Sequence, residues 1–452
     1  MRTSNTETDQ KRLGGSYFKL LSASTISNLG DGIAVVAYPW LASAITRNPL
    51  LISLVIVVQR LPWLVFTLPA GVITDRHDRR HLMVISNAAR VALTLVVAFA
   101  VLGKQGDLPG PDAVADAATI INTDLVLYLL VLLATFLLGI AEVLYDNSAQ
   151  TFMPSIVQAD NLERANGRLW STELVANTMV GPPLGALLVA VAFSLPFFVD
   201  AATFAVSAAL VLWIAPASRP AADPPEQQPA ESPSWRTDLA EGVRWLWGHE
   251  LLRPMAIILG IMNMLFVLSA STLVLFSQEV LDTTATEFAI LGTGGAVGGV
   301  VGGWTASNIS KRIGPGPSLW LTLVGGGLSL FITGLLSWWP AVWLLFGLSV
   351  LVGTLWNVIT VSLRQTIIPD RLLGRVNSVY RFFAWGMMPV GALLGGAVVA
   401  ITDTFATREF ALRMPWFVAG TLNLALFAFA APRLTTAKIE SARVEAPSAS
   451  IA

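Results

Sequence analysis

The sequence predicts an all-α integral membrane protein: twelve transmembrane helices in two pseudo-symmetric six-helix bundles. Three observations predict it. Of 452 residues, 54% are hydrophobic and only 13% charged, about half the charged fraction of a typical soluble domain. Apolar runs long enough to span a bilayer, about 20 residues each, recur twelve times. Short blocks from the first half return, in order, in the second.

The expected spans are 17–45, 50–73, 82–102, 124–146, 169–192 and 195–215, then 254–279, 287–308, 318–338, 341–363, 376–402 and 413–431. No alternating strand pattern competes, which argues against an outer-membrane barrel. The polar tail 1–16 is not followed by a short apolar core with a small-residue cleavage site. The first run therefore reads as a retained helix rather than a signal peptide. The domains expected are an N-terminal tail (1–16), a first bundle (17–215), a linker (216–253), a second bundle (254–431) and a C-terminal tail (432–452). Within the linker, 216–233 is Pro-rich and reads as an extended spacer. Trp235, Leu239, Val243 and Leu246 then recur at helical spacing opposite Arg236, Glu241 and Arg244, the pattern of an amphipathic helix on a membrane face. The external connection 103–123 is Ala- and Asp-rich and reads as partly ordered.

Lys and Arg set the expected orientation. With an even number of spans both termini share a side, and 22 of the 28 Lys and Arg fall there. Arg47, Lys104, Arg408 and Arg413 fall on the other. Both termini are therefore expected in the cytoplasm. A net charge of −1 implies no nucleic-acid partner, and the absence of Cys excludes disulfides, thiolate metal sites and thiol nucleophiles. No metal site, cofactor or nucleotide loop is visible, so neither an enzyme nor an ATP-driven pump is expected. The partners expected are the lipid bilayer, protons and a small-molecule substrate, with the chain acting as a monomer.

The repeat divides the chain 6+6. Gln150-Thr-Phe-Met-Pro154 matches Gln365-Thr-Ile-Ile-Pro369. Arg164-Ala-Asn-Gly167 matches Arg375-Val-Asn-Ser378, and Gly185-Ala-Leu-Leu matches Gly396-Ala-Val-Val. Parallel repeats of this kind place a substrate path near the membrane midplane.

Ionisable groups within spans are costly, at least ~2.5–3.5 kcal/mol each, and so mark function or a partner. Asp31, Arg60, Arg90, Glu142, Asp146, Glu173 and Asp200 qualify, all in the first half. Asp31 and Arg60 lie at matching depth by helical rise and are expected to face each other, with Asp31 as the proton carrier. Glu142 and Arg90 also match in depth; Glu142 reads equally as a proton acceptor or as Arg90's structural partner. Glu173, Asn177, Gly181 and Gly185 form one stripe, and Gly295, Gly299 and Gly303 another. Such small-residue stripes permit close helix approach, either as a sliding seam or as tight packing within each half. Pro182 removes a donor and is expected to bend its helix. Tyr38, Trp40, Trp63, Phe266, Trp356, Phe382 and Trp385, with Asn177, Asn263 and Asn357, are candidate substrate-binding residues, aromatic faces suiting bulky apolar or cationic solutes. His77, His81 and His249 lie outside the spans and suit no transmembrane relay.

The loop Gly71…Asp75-Arg76…Arg79-Arg80 resembles the signature of the major facilitator superfamily, with Asp78 where a Gly is usual. Gly303, Lys311 and Arg312 form a weaker second copy. Gly181-Pro182-Pro-Leu-Gly185-Ala186 is similar to the signature of that family's drug/proton antiporters. Gly30-Asp31-Gly32, Tyr38-Pro39-Trp40, Asp200-Ala…Thr203-Phe204 and Glu241-Gly-Val-Arg-Trp245 resemble its branch of enterobactin exporters, macrolide efflux proteins and Tap-like multidrug pumps. The resemblance implies the major facilitator fold, a place in a bacterial cytoplasmic (inner) membrane and no cofactor beyond a proton gradient. It implies gating by Gly71, Asp75, Arg76, Arg79, Arg80, Asp146, Gly181, Pro182 and Gly185. In it Asp146 would bridge to Arg79, and Asp75 would dock on the positive N-terminus of the eleventh helix. Helices five and eight would meet across the halves, and Asp200, on helix six, would be structural. The expected function is proton-coupled export of bulky amphipathic molecules, drugs or siderophores, by alternating access. A facilitator-type importer and a non-transporting membrane sensor are the alternatives.

Overall fold

The computed structural model describes residues 13–114, 123–214 and 235–444. The tails 1–12 and 445–452, the linker 215–234 and the loop stretch 115–122 lie outside the described residues, as does the expectation of an extended spacer at 216–233.

The described chain is helical, and its helices end where local chemistry ends them. α1 (Gly15–Ile45) is followed by α2 (Pro49–Val65) and α3 (Thr67–Arg76), which break at Phe66. α4 (Arg79–Gly103) is capped by Asp78, whose carboxylate accepts from the His81 amide at 2.8 Å. The residue that departs from the family loop is thus an N-cap. α5 (Leu125–Ile156) is capped by Asp124 in the same way. The fifth span is α6 (Leu162–Leu174), a π turn (Val175–Val180) and α7 (Gly181–Val191). Pro182 supplies no amide for a regular turn, and the widened turn absorbs the mismatch. α8 (Leu195–Leu212) closes the first half.

After α9 (Trp235–Gly248), the seventh span comprises α10 (Leu252–Ala270) and α11 (Leu273–Glu279). α12 (Ala285–Ile313) begins with a capping box between Thr284 and Glu287. It ends at Gly314, whose φ of +85° favours glycine, with Pro315 opening α13 (Pro315–Leu335). α14 (Trp339–Ile367), α15 (Asp370–Thr402) and α16 (Arg408–Ala430) follow. A short α17 (Thr436–Val444), inside the stretch expected to be a tail, buries Ile439 completely. Among the described residues eleven helical spans are long and apolar enough to cross a membrane; α2, shorter, continues into α3 as the twelfth.

The chain forms two compact units, residues 1–46 with 58–229, and 47–57 with 230–452. The stretch Arg47–Val57 thus packs in the second unit, although its sequence position lies in the first half. Helix pairing matches span for span. In the first unit, span one packs on five and six, three on four and six, and two on four. In the second, seven packs on eleven and twelve, nine on ten and twelve, and eight on ten. α9 docks on α15 through a Glu241–Arg375 ion pair, the bare Gly242 against Arg375, and buried Leu246. Of the expected apolar stripe, Leu246 is buried and Val243 is exposed. The side chains of Trp235 and Leu239 lie outside the described residues.

Candidate functional site

In the first unit a polar core is built from four helices. α1 presents Ser24, Ser27 and Asp31 at spacings of three and four, hence on one face. Arg90 of α4 donates to Ser27 Oγ at 2.9 Å and to Asp31 Oδ1. Its guanidinium lies over the Phe204 ring of α8, 3.8 Å from the centroid. Asn87 donates to Ser207 at 2.8 Å, and the Tyr145 hydroxyl sits 3.4 Å from both Ser24 and Ser207. The Arg90 side chain is 3% exposed while that of Asp31 is 23% exposed, so the acid is the more exposed end of the pair. Glu142 and Asp146 of α5 are half-buried beside this pair and feel the charges of both Arg90 and Asp31. Half-buried Glu173 approaches Ser24.

Three expected pairings are corrected. Asp31 pairs with Arg90, not Arg60; Arg60 is exposed on α2. Equal depth along two helices does not place residues on facing sides. The Glu142–Arg90 bridge does not form, because Ser27 and Asp31 occupy the guanidinium. Arg79 does not bridge to Asp146 but donates to the Thr151 carbonyl at 2.9 Å. Arg80 donates to the Val211 and Leu212 carbonyls, and Lys19 to that of Trp213. These cations thus donate to carbonyls in the last turns of α5 and just at the end of α8, where the helix dipole favours positive charge. Arg76 is exposed, Gly71 half-buried, and the Asp75 side chain lies outside the described residues. Lys311 and Arg312, the second copy, are exposed.

Asp200 carries a signal that its sequence position did not. It is 2% exposed, and its Oδ1 has no hydrogen-bond partner. The nearby Tyr38 hydroxyl and Arg90 Nε are also unpartnered. Gly30 makes room for this carboxyl, since a Cβ there would lie 2.3 Å from Oδ1.

The small-residue stripe of the fifth span packs within the first unit, whereas on α12 the closely packed glycines are the neighbours of the expected stripe. A Cβ on Gly181 or Gly185 would strike the backbone of Gly32 or Ile33 in α1. On α12 the close contacts with α14 are made by Gly294, Gly298 and Gly302. Gly295 and Gly299 only touch Val350, and Gly303 is open. On α15, Gly391 and Gly395 approach Met264 and Leu268 of α10. The repeat partner of Gly185, Gly396, instead meets Ser53 and Pro49.

The second unit contains a cavity of roughly 210 Å³ among α10, α13, α14 and α16. Asn263, Phe266, Thr322, Ser349, Asn357 and Asn423 line it, with no charged residue. Asn423 donates to the Leu323 carbonyl at 3.1 Å, leaving its Oδ1 unpartnered. Three expected binding residues, Asn263, Phe266 and Asn357, meet here. Trp356 and Trp40 are corrected: at 1% and 2% exposure they pack inside their units. Tyr38 is also buried, edge-on to Phe197. Trp63 and Asn177 are half-buried, and Phe382 and Trp385 are exposed on α15. Among the described residues no cluster of His, Cys, Asp or Glu could hold a metal ion.

The Major Facilitator Superfamily model matches residues 20–392. The chain is 26% identical over 420 residues to the multidrug efflux pump Tap of Mycobacterium tuberculosis, covering 91% of this chain and 93% of that one. It is 25% identical to the enterobactin exporter EntS of Shigella boydii, covering 86% of each. A bacterial homologue of the iron transporter ferroportin, solved inward-facing, superposes with a TM-score of 0.65 at 15% identity, over 92% of this chain and 99% of that one. The nucleoside transporter NupG superposes with a TM-score of 0.70 at 10% identity, over 93% and 100%.

Proposed function

The chain belongs to the Major Facilitator Superfamily and is a multi-pass membrane transport protein, not an enzyme; on that premise we propose that it exports bulky amphipathic small molecules in exchange for protons. The observation that carries the reading is the Asp31–Arg90 pair. A partly exposed carboxylate is bound to a buried guanidinium. A proton arriving at Asp31 cancels its charge and frees Arg90 to seek another acceptor, which couples protonation to helix packing. Glu142 and Asp146 stand beside the pair as further acceptors.

The uncharged cavity of the second unit supports an amphipathic cargo. Its lining, apolar surface with a few placed polar groups, is of the kind found in small-molecule sites. Asn263, Asn357 and Asn423 would meet cargo hydroxyls or amides, and Phe266 its apolar face. Drug export is the first reading; siderophore export is the second, favoured by the likeness to EntS. The Lys and Arg distribution supports a bacterial cytoplasmic membrane with both termini inside, and the chain is read as a monomer. Alternating access of the two units would move the cargo.

The test uses inside-out vesicles, into which an exporter carries its cargo. Ethidium uptake is followed when the lumen is acid. Uptake that rises with the proton gradient supports the exporter. Release under the same gradient would favour an importer, and no proton dependence would end the coupling reading. A deletion strain screened against antibiotics and under iron limitation separates drug from siderophore export.

A further inference from the structure

On α14, Trp356, Thr360 and Arg364 are four residues apart and share a face. Tyr380 of α15 packs opposite. Arg364's guanidinium lies over the Tyr380 ring, 3.8 Å from its centroid. The Tyr380 hydroxyl has the side chains of Arg364, Thr360 and Trp356 as its polar neighbours. Trp356, Thr360 and Tyr380 are 1%, 0% and 2% exposed. Yet Trp356 Nε1, Thr360 Oγ1, the Tyr380 hydroxyl, and Nε and Nη1 of Arg364 are all buried without a hydrogen-bond partner.

All five groups can donate, and the indole and guanidinium nitrogens cannot accept at all. Among the described residues no carboxylate pairs with Arg364. A buried cluster of donors without an acceptor is costly. The first unit solves the same problem with Asp31 beside Arg90; the second has no equivalent acid. Water would accept some of these bonds but would not neutralise the guanidinium. One positive charge and convergent donors of three further side chains match a single small anion.

We propose that Trp356, Thr360, Arg364 and Tyr380 form a binding site for a small monovalent anion, either a free halide or a carboxylate group. The anion accepts from Nε and Nη1 of Arg364, from both hydroxyls and from the indole N–H. Arg364 is itself only half-buried, which leaves an entry at the guanidinium end. The site lies on the second unit alone and does not depend on the proton-coupling reading.

The test is thermal unfolding of the purified full chain in detergent, at constant ionic strength. Sodium gluconate is replaced stepwise by sodium chloride in one arm and by sodium acetate in the other. A saturable Tm rise on the order of 2 °C is expected in at least one arm. Saturation by chloride alone assigns a halide site, and saturation by acetate assigns a carboxylate site. Arg364→Gln should abolish the rise. Tyr380→Phe keeps the ring beneath the guanidinium and should weaken the anion on the order of tenfold. No saturable rise in either arm, or an equal rise in both variants, overturns the proposal. Crystals grown in bromide give a second measurement, independent of how the variants fold. An anomalous peak within hydrogen-bond distance of Arg364 and Tyr380 supports the site; ordered water there overturns it.

Discussion

Gly32 and Gly181 cross backbone to backbone: a Cβ on Gly181 would lie 2.5 Å from the Cα of Gly32. Neither α1 nor the fifth span can retreat without moving a whole helix. Gly181→Ala is therefore expected to destabilise by about 1–3 kcal/mol, the usual cost of overpacking. Gly303→Ala, with open space around it, should leave Tm unchanged. Equal Tm values for the two variants would contradict this packing.

The Asp31–Arg90 pair predicts an asymmetry among the arginines. Asp31→Asn and Arg90→Gln should each reduce gradient-driven ethidium transport more than tenfold, while Asp31→Asn spares downhill exchange. Arg60→Gln, altering an exposed side chain, should change it less than twofold. Vesicle transport of the three variants decides the matter. Equal damage from Arg60→Gln would remove the pair from its proposed role.

Asp200 is buried, and its Oδ1 lacks a donor. A carboxylate so placed is costly to keep charged, so the uncharged Asn should be tolerated there. Asp200→Asn is expected to lower Tm by less than Asp31→Asn does, because Asp31→Asn leaves the buried Arg90 without its anion. The reverse order would show that Asp200 depends on an anionic form.

His249 gives a pH dependence with a definite sign. Its Nδ1 accepts from the Leu251 and Leu252 amides at 3.2 Å, which only the unprotonated nitrogen can do. Burial holds its pKa below the ordinary 6.5. A depressed histidine pKa means folding favours the neutral form. That stability is full above pH 6.5 and is lost as pH falls from there through the lower folded pKa. Tm should fall on acidification through this window. His249→Asn, which can still cap the two amides without titrating, should flatten the curve. Identical pH profiles would rule His249 out.

In the second unit, Glu279 accepts from Arg47 at 2.6 Å and from Arg408 at 3.0 Å, and Arg408 also meets Asp403 at 2.9 Å. Burial draws Arg47's pKa down, against the pull of Glu279. Removing the shared acid takes a carboxylate from two partly buried cations, although Arg47 keeps Gln278 and Arg408 keeps Asp403, so Glu279→Gln should cost about 2 kcal/mol. Arg408→Gln leaves the Arg47 pair intact and should cost less. Comparison of their denaturation midpoints tests the order.

Spans and the 6+6 division were legible because each depends on local pattern. A run of apolar residues has to be helical in lipid, whereas the caps Asp78 and Thr284 with Glu287 emerged only in the structure. The linker helix was legible in extent and Leu246 belonged to its expected stripe, but the approach of Gly242 to Arg375 is set by α15 rather than by periodicity. Depth was legible too: Asp31 and Arg90 were both seen as charges within the spans.

What the sequence by itself determined is a membrane-spanning helical chain of two related halves, with its ionisable groups in the first. Rise per residue and hydropathy are properties of one helix at a time. Only the tertiary structure decided that Asp31 meets Arg90 rather than Arg60, that Gly181 serves α1, and that Arg364 faces Tyr380 with no acid beside it. Those choices depend on the rotation of each helix about its axis, which packing against several neighbours sets at once.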